Sequence, residues 1–302
     1  MIGFVLIIIA ALFFPGLIIR TKSIASGRKG PGILQPVKDI GVLMRKGSVF
    51  SKTTGLVFQI APVVTLSTIL CAFLVVPFAN QNAIISFEGD FVFFSYLLAF
   101  GKFFAIIAAL DTGSSFEGMG ANREAFFSML TEPAFFILLA TFAMFTGYTS
   151  FSDIFNHFFI TDSHYVLIYS IIGFFLFIQI AMVENSRLPV DDPKTHLELT
   201  MIHEVMILDN SGFDLGTILY TTNLKFAMYG AIISNFFIGV LPFEISIPIF
   251  FMIQIGFAMA VGIIESFMAR FRMGHNPQFV FILTSVSLLI FFGVLLVLGK
   301  FV

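Results

Sequence analysis

Eight long apolar stretches constrain the fold of this chain more than any other feature of its sequence. A helix needs about 20 mostly apolar residues to cross a bilayer, and eight segments of the 302-residue chain approach that requirement. They are Ile2–Ile19, Gln59–Ala79, Val92–Leu110, Pro133–Gly147, Tyr165–Val183, Asn223–Leu241, Ile245–Ile264 and Phe279–Leu298. Charged residues make up 11% of the chain, compared with about 25% in soluble domains. The sequence therefore predicts an all-α, polytopic integral membrane protein with about eight transmembrane helices, built as a single membrane domain over residues 1–302.

The fourth apolar segment is too short to cross a bilayer unless its helix begins earlier. The stretch REAFFSMLTEPAFFILLATFAMFTGY is long enough to form one helix, so we expect this helix to begin near Arg123 or Glu124. The first apolar segment has no basic residue before it and no small-residue cleavage site after it. It therefore indicates a retained anchor and not a signal peptide.

The basic residues are concentrated on one side of the predicted membrane. Thirteen of the 16 Lys and Arg residues fall in the loops that follow the odd-numbered segments, and the opposite loops hold none. Loops rich in Lys and Arg stay in the cytoplasm. We therefore expect large cytoplasmic loops that start at Arg20, Asp111, Glu184 and Glu265, with both termini on the outside.

Acidic residues are also concentrated on the predicted cytoplasmic side, where they flank the apolar segments. Asp111, Glu184 and Glu265 end three of these segments, and Glu132 lies within the fourth predicted helix. Pro133 follows Glu132 and lacks a backbone N–H, which frees a carbonyl one turn earlier. Ionisable groups near a membrane are costly, and they usually face the protein interior or water and mark ion paths.

These acids predict a polar path that runs from the cytoplasmic loops into the membrane. Carboxylates that are close together in a poorly solvated site cannot all stay ionised, so they hold and exchange protons. The candidate path consists of Glu132, Glu184, Asp191, Asp192, Glu198, Glu204, Asp111, Glu124 and Glu265, with Lys102 and Lys225 as partners inside the membrane. Two alternatives are that the acids are solvated at the interface, as we expect for Glu117 and Asp214, or that they brace the loops through Arg187 and Arg123.

The polar loop after the fifth segment contains two prolines and is expected to form a new helix. Asp192 is placed to cap this helix, with Pro193 at its first position. The predicted helix, KTHLELTMIHEVMIL, is too polar to span the membrane and should lie at its surface or in a cytoplasmic vestibule.

Sites for metals, clusters and nucleotides are not predicted by the sequence. His196 and His203 are seven residues apart with no third histidine nearby, so we expect no metal site. The single cysteine, Cys71, cannot hold an iron–sulfur cluster, which usually needs four cysteine ligands. The glycines of GMGANR follow no predicted strand, so they are expected to let a loop turn or contact another protein. A net charge of −2 gives no indication of nucleic-acid binding.

Several loop motifs resemble those of one protein family. The run ENSRLPVDDPKTHLELTMIHE resembles the membrane subunit of energy-converting, group 4 nickel–iron hydrogenases of the formate hydrogenlyase and hydrogenase-4 type, and more distantly the homologous membrane subunit of respiratory complex I. The positions that fit the family's third-loop pattern are Glu184, Asn185, Arg187, Pro189, Asp191, Pro193, Glu198 and Leu199. The stretches GRKGPGILQPVKDIGVLMRK, GANREAFFSMLTEP and ESFMARFRMG are similar to other loops of the same family. The stretch between Glu198 and the Ser211-Gly212 pair is longer here than in complex I, and the runs DDPKTH and MIHEVM resemble the hydrogenase branch.

The resemblance implies a subunit that anchors a redox arm to the cytoplasmic membrane of a prokaryote and couples it to proton or sodium movement. The implied partners are the hydrogenase small and large subunits, an iron–sulfur subunit and antiporter-like membrane subunits, together with the lipid bilayer. The chain itself would bind no cofactor, since the iron–sulfur clusters and the nickel–iron centre would belong to those partners. Six basic residues are expected to form the docking face or to brace its loops: Arg28, Lys29, Arg123, Arg187, Arg270 and Arg272.

Alternatives remain open for the docking residues and for the function. Arg28 and Lys29 could instead face lipid headgroups as topology determinants. The chain could be the quinone-binding subunit of a complex I-like NADH or ferredoxin dehydrogenase, or a stand-alone ion transporter. A transporter should contain paired broken helices in its two halves, and the sequence has one strong break.

Overall fold

Among the residues that the structure describes, the bundle contains eight long helices at the places where the sequence predicts them. A computed structural model describes residues 2–79, 81–158, 164–191, 201–238 and 241–299. The long helices are α1 (Ile2–Ala25), α3 (Leu56–Val75), α4 (Asp90–Asp111), α5 (Ser115–Thr146), α7 (His164–Glu184), α9 (Gly212–Ile238), α10 (Phe243–Phe267) and α11 (Asn276–Val297). The short helices are α2 (Gln35–Leu43), α6 (Phe151–His157) and α8 (His203–Met206). The prediction of an all-α polytopic membrane protein is confirmed.

Judged by the described residues alone, six of the long helices are long and apolar enough to cross a membrane by length and composition, namely α1, α3, α4, α5, α10 and α11. The other two coincide with the predicted fifth and sixth segments. In α7 the apolar part found among the described residues is Ile171–Glu184. In contrast, α9 contains Lys225, Asn223 and Asn235 and lies at the centre of the bundle, where every residue from Phe226 to Phe236 is buried. Its polar composition reflects burial among other helices and not exposure to lipid.

The helix α5 extends further than predicted. Its 32 residues correspond to about 48 Å at a rise of about 1.5 Å per residue, which exceeds the roughly 30 Å hydrocarbon core of a bilayer. The predicted early start is confirmed, but the helix already begins at Ser115. Consequently, the glycines of GMGANR are helical, and the expectation of a turning loop is wrong. A Cβ atom at Gly120 would lie 3.0 Å from the carbonyl oxygen of Ile202 and still closer to the Val205 side chain, so the lack of a side chain lets α8 approach α5.

The loop after α7 does not form the long helix predicted from its sequence. Residues 192–200 lie outside the described residues, so the predicted cap at Asp192 and the position of Glu198 are not described. At the described end the prediction is wrong, because Met201 and Ile202 are not helical and α8 is a single turn. Asp191 accepts the backbone N–H groups of Ile202 (3.3 Å) and His203 (3.0 Å), and this bonding fixes the start of the turn.

Phenylalanine rings fill much of the interior between the helices. The ring of Phe236 lies 5.1 Å from those of Phe142 and Phe155, in edge-to-face geometry. On the other side of the bundle, Phe14 packs 4.7 Å from Phe226. Such offset contacts contribute about 0.5–1.5 kcal/mol each beyond the area that they bury, so the aromatic content helps to fix the helix positions.

Hydrogen bonds join loops at each end of the bundle, in the grouping that the charge pattern predicts. Asp111 joins the third loop to the first by accepting the backbone N–H of Gly55 at 2.7 Å. At the opposite end Asp90 accepts the backbone N–H of Phe151 at 2.7 Å, which joins the second and fourth loops. The first and third loops, which are basic, therefore share one face, and the second and fourth loops share the other.

We expect single cysteines to confirm which face is cytoplasmic. In a Cys71→Ser background, Asn82→Cys should react with an impermeant reagent added to intact cells, because its loop lies on the face with no basic loops. Ser48→Cys, in the first basic loop, should react only after the cells are permeabilised. Labelling of Ser48→Cys in intact cells would reverse the assigned orientation.

Candidate functional site

Two lysines and an acid from three helices form ion pairs in the interior. The Lys102 ammonium of α4 lies 2.9 and 2.8 Å from the two carboxylate oxygens of Glu184. The Lys225 ammonium of α9 lies 3.1 Å from the same carboxylate. The side chains of Lys102, Glu184 and Lys225 are 11%, 8% and 15% exposed. Because buried charges are costly unless they are paired and hydrogen-bonded, this arrangement holds the three helices in register.

The C-terminal end of α7 explains why Lys225 lies beside Glu184. The last four carbonyls of a helix have no partner within it, and a cation is favoured near this negative end. Lys225 donates to the backbone carbonyl of Glu184 at 2.7 Å as well as to its carboxylate. One ammonium therefore caps α7 and neutralises its terminal acid.

Two acids of α5 complete the site, which we call the ion-pair cluster: Lys102, Glu124, Glu132, Glu184 and Lys225. The Glu124 carboxylate lies 3.9 Å from the Lys102 ammonium. Glu132, two turns further along α5, lines a small cavity together with Lys102 and Glu184. Among the described residues Glu132 forms no ion pair. With three acids and two lysines the cluster has a net charge of −1 when every group is ionised, so one added proton neutralises it.

A cavity of about 110 Å³ opens beside the ion-pair cluster. Its polar lining includes Lys102, Glu124, Glu184, Lys225, Asn185, His203 and Asn210, and the remainder is largely apolar, with Phe58, Leu98 and Ile218. The side-chain oxygens of Asn185 and Asn210 are buried and have no hydrogen-bond partner within the described part of the chain. A cavity of this volume and polarity has room for several water molecules. Water and other small hydrogen-bond donors can therefore reach the ion-pair cluster from the loop side.

Other predicted path residues lie outside the ion-pair cluster. Asp111 accepts the N–H groups of Gly55 and Phe58 and so caps α3. The Glu265 carboxylate lies 3.4 Å from the Lys22 ammonium and 3.3 Å from the Arg187 guanidinium.

The loop between α7 and α9 is closer to the ion-pair cluster. Asp191 lines a further small cavity together with Lys102, Glu124 and Glu184. Glu204 lies in α8 next to His203, which lines the larger cavity. This loop therefore covers the cluster from the side of the basic loops.

The expectation that Glu117 and Asp214 are solvated at the interface is wrong. Glu117 is fully buried and Asp214 is 7% exposed. Because α5 begins at Ser115, Glu117 lies in its first turn, under the loop that follows α8. There its carboxylate accepts the backbone N–H of Asp209 at 2.9 Å. Glu117 therefore holds that loop to the bundle.

The six predicted docking residues divide into two groups. The first group makes contacts within the chain: the Arg270 guanidinium lies 2.8 Å from Asp191, Arg187 pairs with Glu265, and Arg123 donates to the carbonyl of Met201 at 2.9 Å. The other three, Arg28, Lys29 and Arg272, are exposed on the loops. The contacts of the first group thus agree with a role in bracing the loops, and the exposed side chains of the second group are available to a partner.

Sequence reasoning did not identify three residues that the structure brings to the site. Asn185 belongs to the run that resembles the family motif, but its position gave no separate signal of a role. Tyr229 lies one helical turn after Lys225, and this spacing places both on one face of α9. His203 was considered only as a metal ligand, because its approach to the cavity depends on the single-turn shape of α8.

Comparison with known proteins gives consistent matches. The model of the NADH dehydrogenase family matches residues 1–296. Formate hydrogenlyase subunit 4 of Escherichia coli (strain K12) is 28% identical over 266 residues, which cover 83% of each chain. Hydrogenase-4 component C of the same organism is 32% identical over 152 residues, 50% of this chain and 48% of that protein. The H subunit of NADH-quinone oxidoreductase from Rickettsia peacockii (strain Rustic) is 25% identical over 247 residues, 77% of this chain and 72% of that protein.

A solved structure shares the fold. A chain of the membrane-bound sulfane sulfur reductase, an archaeal respiratory membrane complex, superposes with a TM-score of 0.79. The match covers 96% of this chain and 98% of that chain at 19% sequence identity.

Proposed function

The chain belongs to the NADH dehydrogenase family, and on this premise we propose that it is the membrane-anchoring, energy-coupling subunit of a proton- or sodium-translocating nickel–iron hydrogenase complex. The single observation that carries the proposal is the ion-pair cluster, which lies beneath braced cytoplasmic loops and beside a cavity that reaches them. The similarity of the chain to membrane subunits of formate hydrogenlyase and hydrogenase-4 supports a hydrogenase as the redox partner over other redox enzymes.

The proposed coupling starts at the loop between α7 and α9. Asp191 in this loop caps α8, pairs with Arg270 and lines a cavity next to the ion-pair cluster. A redox event in a docked partner would shift this loop and alter the solvation of Glu124 and Glu184. A change in solvation alters which carboxylate holds a proton. This change in protonation would then alter the ion pairs of Lys102 and Lys225 and so be transmitted toward the antiporter-like membrane subunits.

Docking of the peripheral arm is assigned to the exposed basic loops. Arg28, Lys29 and Arg272 can hold carboxylates of a partner, and arginine does so through two parallel hydrogen bonds. Val49 and Phe50, in the first loop, are 72% and 42% exposed and add an apolar contact area. The iron–sulfur clusters and the nickel–iron centre are placed in the docked iron–sulfur and hydrogenase small and large subunits.

A second candidate function is quinone binding, as in a complex I-like enzyme. The observation in its favour is the cavity of about 110 Å³, which combines a largely apolar wall with a few convergent polar groups, as small-molecule sites usually do. The similarity to a membrane subunit of NADH-quinone oxidoreductase supports the same function.

Purification in a mild detergent separates the two functions. We expect a hydrogenase large subunit to co-purify with the tagged chain. Metal analysis should then give about one nickel per complex and an excess of iron, because these metals would be bound in the docked arm. Co-purification with a quinone-reducing arm that lacks nickel would favour the second candidate. Recovery of the chain alone under conditions that keep a control complex intact would contradict both.

A further inference from the structure

A second, smaller cavity lies deeper in the membrane than the one that reaches the loops. Its volume is about 20 Å³, room for about one water molecule. Its lining includes Lys102, Glu132, Glu184, Ser95 and Tyr229. This cavity therefore connects Glu132, which has no ion pair among the described residues, with the paired part of the ion-pair cluster.

Tyr229 is the one lining residue with a neutral phenol, and its ring is held in place. The side chain is 1% exposed. Its ring lies 5.8 Å from that of Phe177 and 6.3 Å from that of Phe135, the latter in edge-to-face geometry. Buried tyrosines usually direct the hydroxyl to a polar partner, and the polar groups around this ring are those of the cavity. The two phenylalanines fix the plane of the ring.

We propose that the Tyr229 hydroxyl is a proton relay between Glu132 and Glu184. The proposal rests on the function proposed above, which requires protons to move through these acids. In one transfer the phenol oxygen accepts a proton that originates on the Glu132 carboxyl, directly or through one water. At the same time its own O–H proton passes to the Glu184 carboxylate. The tyrosine begins and ends neutral, one O–H bond forms as another breaks, and rotation of the hydroxyl restores the starting state.

The position of Lys225 supports this role. It lies one turn before Tyr229 on the same face of α9 and donates to the Glu184 carboxylate at 3.1 Å. When Glu184 accepts a proton, its attraction to Lys102 and Lys225 weakens. The relay therefore couples a proton arriving from Glu132 to the two ammonium groups, which a purely structural tyrosine would not do.

Tyr229→Phe tests the relay, since it removes only the hydroxyl and keeps the ring that packs on Phe135 and Phe177. In the purified complex we expect normal subunit composition and normal electron transfer to an artificial acceptor. In sealed vesicles the ions moved per electron should fall at least about fivefold. Tyr220→Phe, on the same helix but outside the cavity lining, should leave the ratio unchanged. A purely structural role would lower assembly and electron transfer together and leave the ratio intact, and that result would overturn the relay.

A second variant covers the case in which Tyr229→Phe does not assemble. Ala99 lines the same cavity, and Ala99→Val adds two methyl groups there while it keeps the hydroxyl of Tyr229 in the chain. We expect the same fall in ions moved per electron, and an unchanged ratio would overturn the relay. Glu132→Gln, measured in parallel, distinguishes a failure of the relay from a failure of the proposed coupling function. A loss of coupling in Glu132→Gln with a normal ratio in Tyr229→Phe would remove the relay and keep the proposed function.

Discussion

Replacing Glu184 with alanine is expected to prevent stable assembly of this membrane domain. The carboxylate pairs with both Lys102 and Lys225, and all three side chains are at most 15% exposed. Removing one partner of a buried ion pair costs about 3–5 kcal/mol, because it leaves an uncompensated buried charge. Here two ammonium groups would be left without their shared partner. A loss of that size is a large part of the roughly 5–15 kcal/mol that stabilises a typical protein.

Thermal unfolding of the detergent-purified chain measures this effect. Glu184→Ala should lower the melting temperature by roughly 6–20 °C, since a loss of 1 kcal/mol shifts it by roughly 2–4 °C in a large domain, or abolish a folded peak in gel filtration. The control is Glu88→Ala, which removes an exposed acid on the opposite face and should change little. Adding Lys102→Met to Glu184→Ala removes one of the stranded charges and should recover part of the loss. An unchanged melting temperature in Glu184→Ala would mean that the ion pairs do not hold α4, α7 and α9 together.

The helices were predictable from the sequence because the bilayer imposes a length and a composition on each of them. All eight apolar segments correspond to long helices, and the family predicted from the loop motifs is confirmed. The errors concern helix ends. The helix α9 begins at Gly212 and not at Asn223, because burial inside the bundle lets polar residues continue a helix that lipid would not accept.

The centre of the site was also partly predictable. Glu184, Lys102 and Lys225 are charges within or beside apolar segments, which usually need partners, and the structure brings these three together. What could not be predicted was the division of the remaining acids. Asp111 caps a helix, and Glu265 pairs with Lys22 in the last turn of α1 and with Arg187 in the loop after α7. Both contacts depend on long-range neighbours that no local pattern specifies.

Loop shape was the least predictable part. The sequence from Lys194 to Leu208 favours a helix, yet Asp191 accepts the N–H groups of Ile202 and His203 and starts the helical turn there. A carboxylate that reaches eleven residues along the chain competes successfully with local propensity, because the buried N–H groups would otherwise lack acceptors. His203 reaches the cavity as a result.

Glu132→Gln is expected to uncouple ion movement from electron transfer without loss of assembly. Glu132 is only partly buried and has no ion pair among the described residues, so the neutral amide leaves no charge stranded. Glutamine keeps the size and hydrogen-bonding capacity of the side chain but cannot release or accept the proton. Because a positioned acid or base contributes about 100-fold or more to proton transfer, the rate of ion movement should fall at least about tenfold.

The most direct test of the ion-pair cluster as the coupling site is the number of ions moved per electron in sealed vesicles that contain the whole complex. Proton and sodium movement are both recorded while electrons flow at a known rate, in the wild type, in Glu132→Gln and in the exposed-acid control Glu88→Gln. We predict a normal ratio in Glu88→Gln and, at full assembly and normal electron transfer, a ratio near zero in Glu132→Gln. A wild-type ratio in fully assembled Glu132→Gln would contradict a path through this residue and with it the coupling role of the cluster.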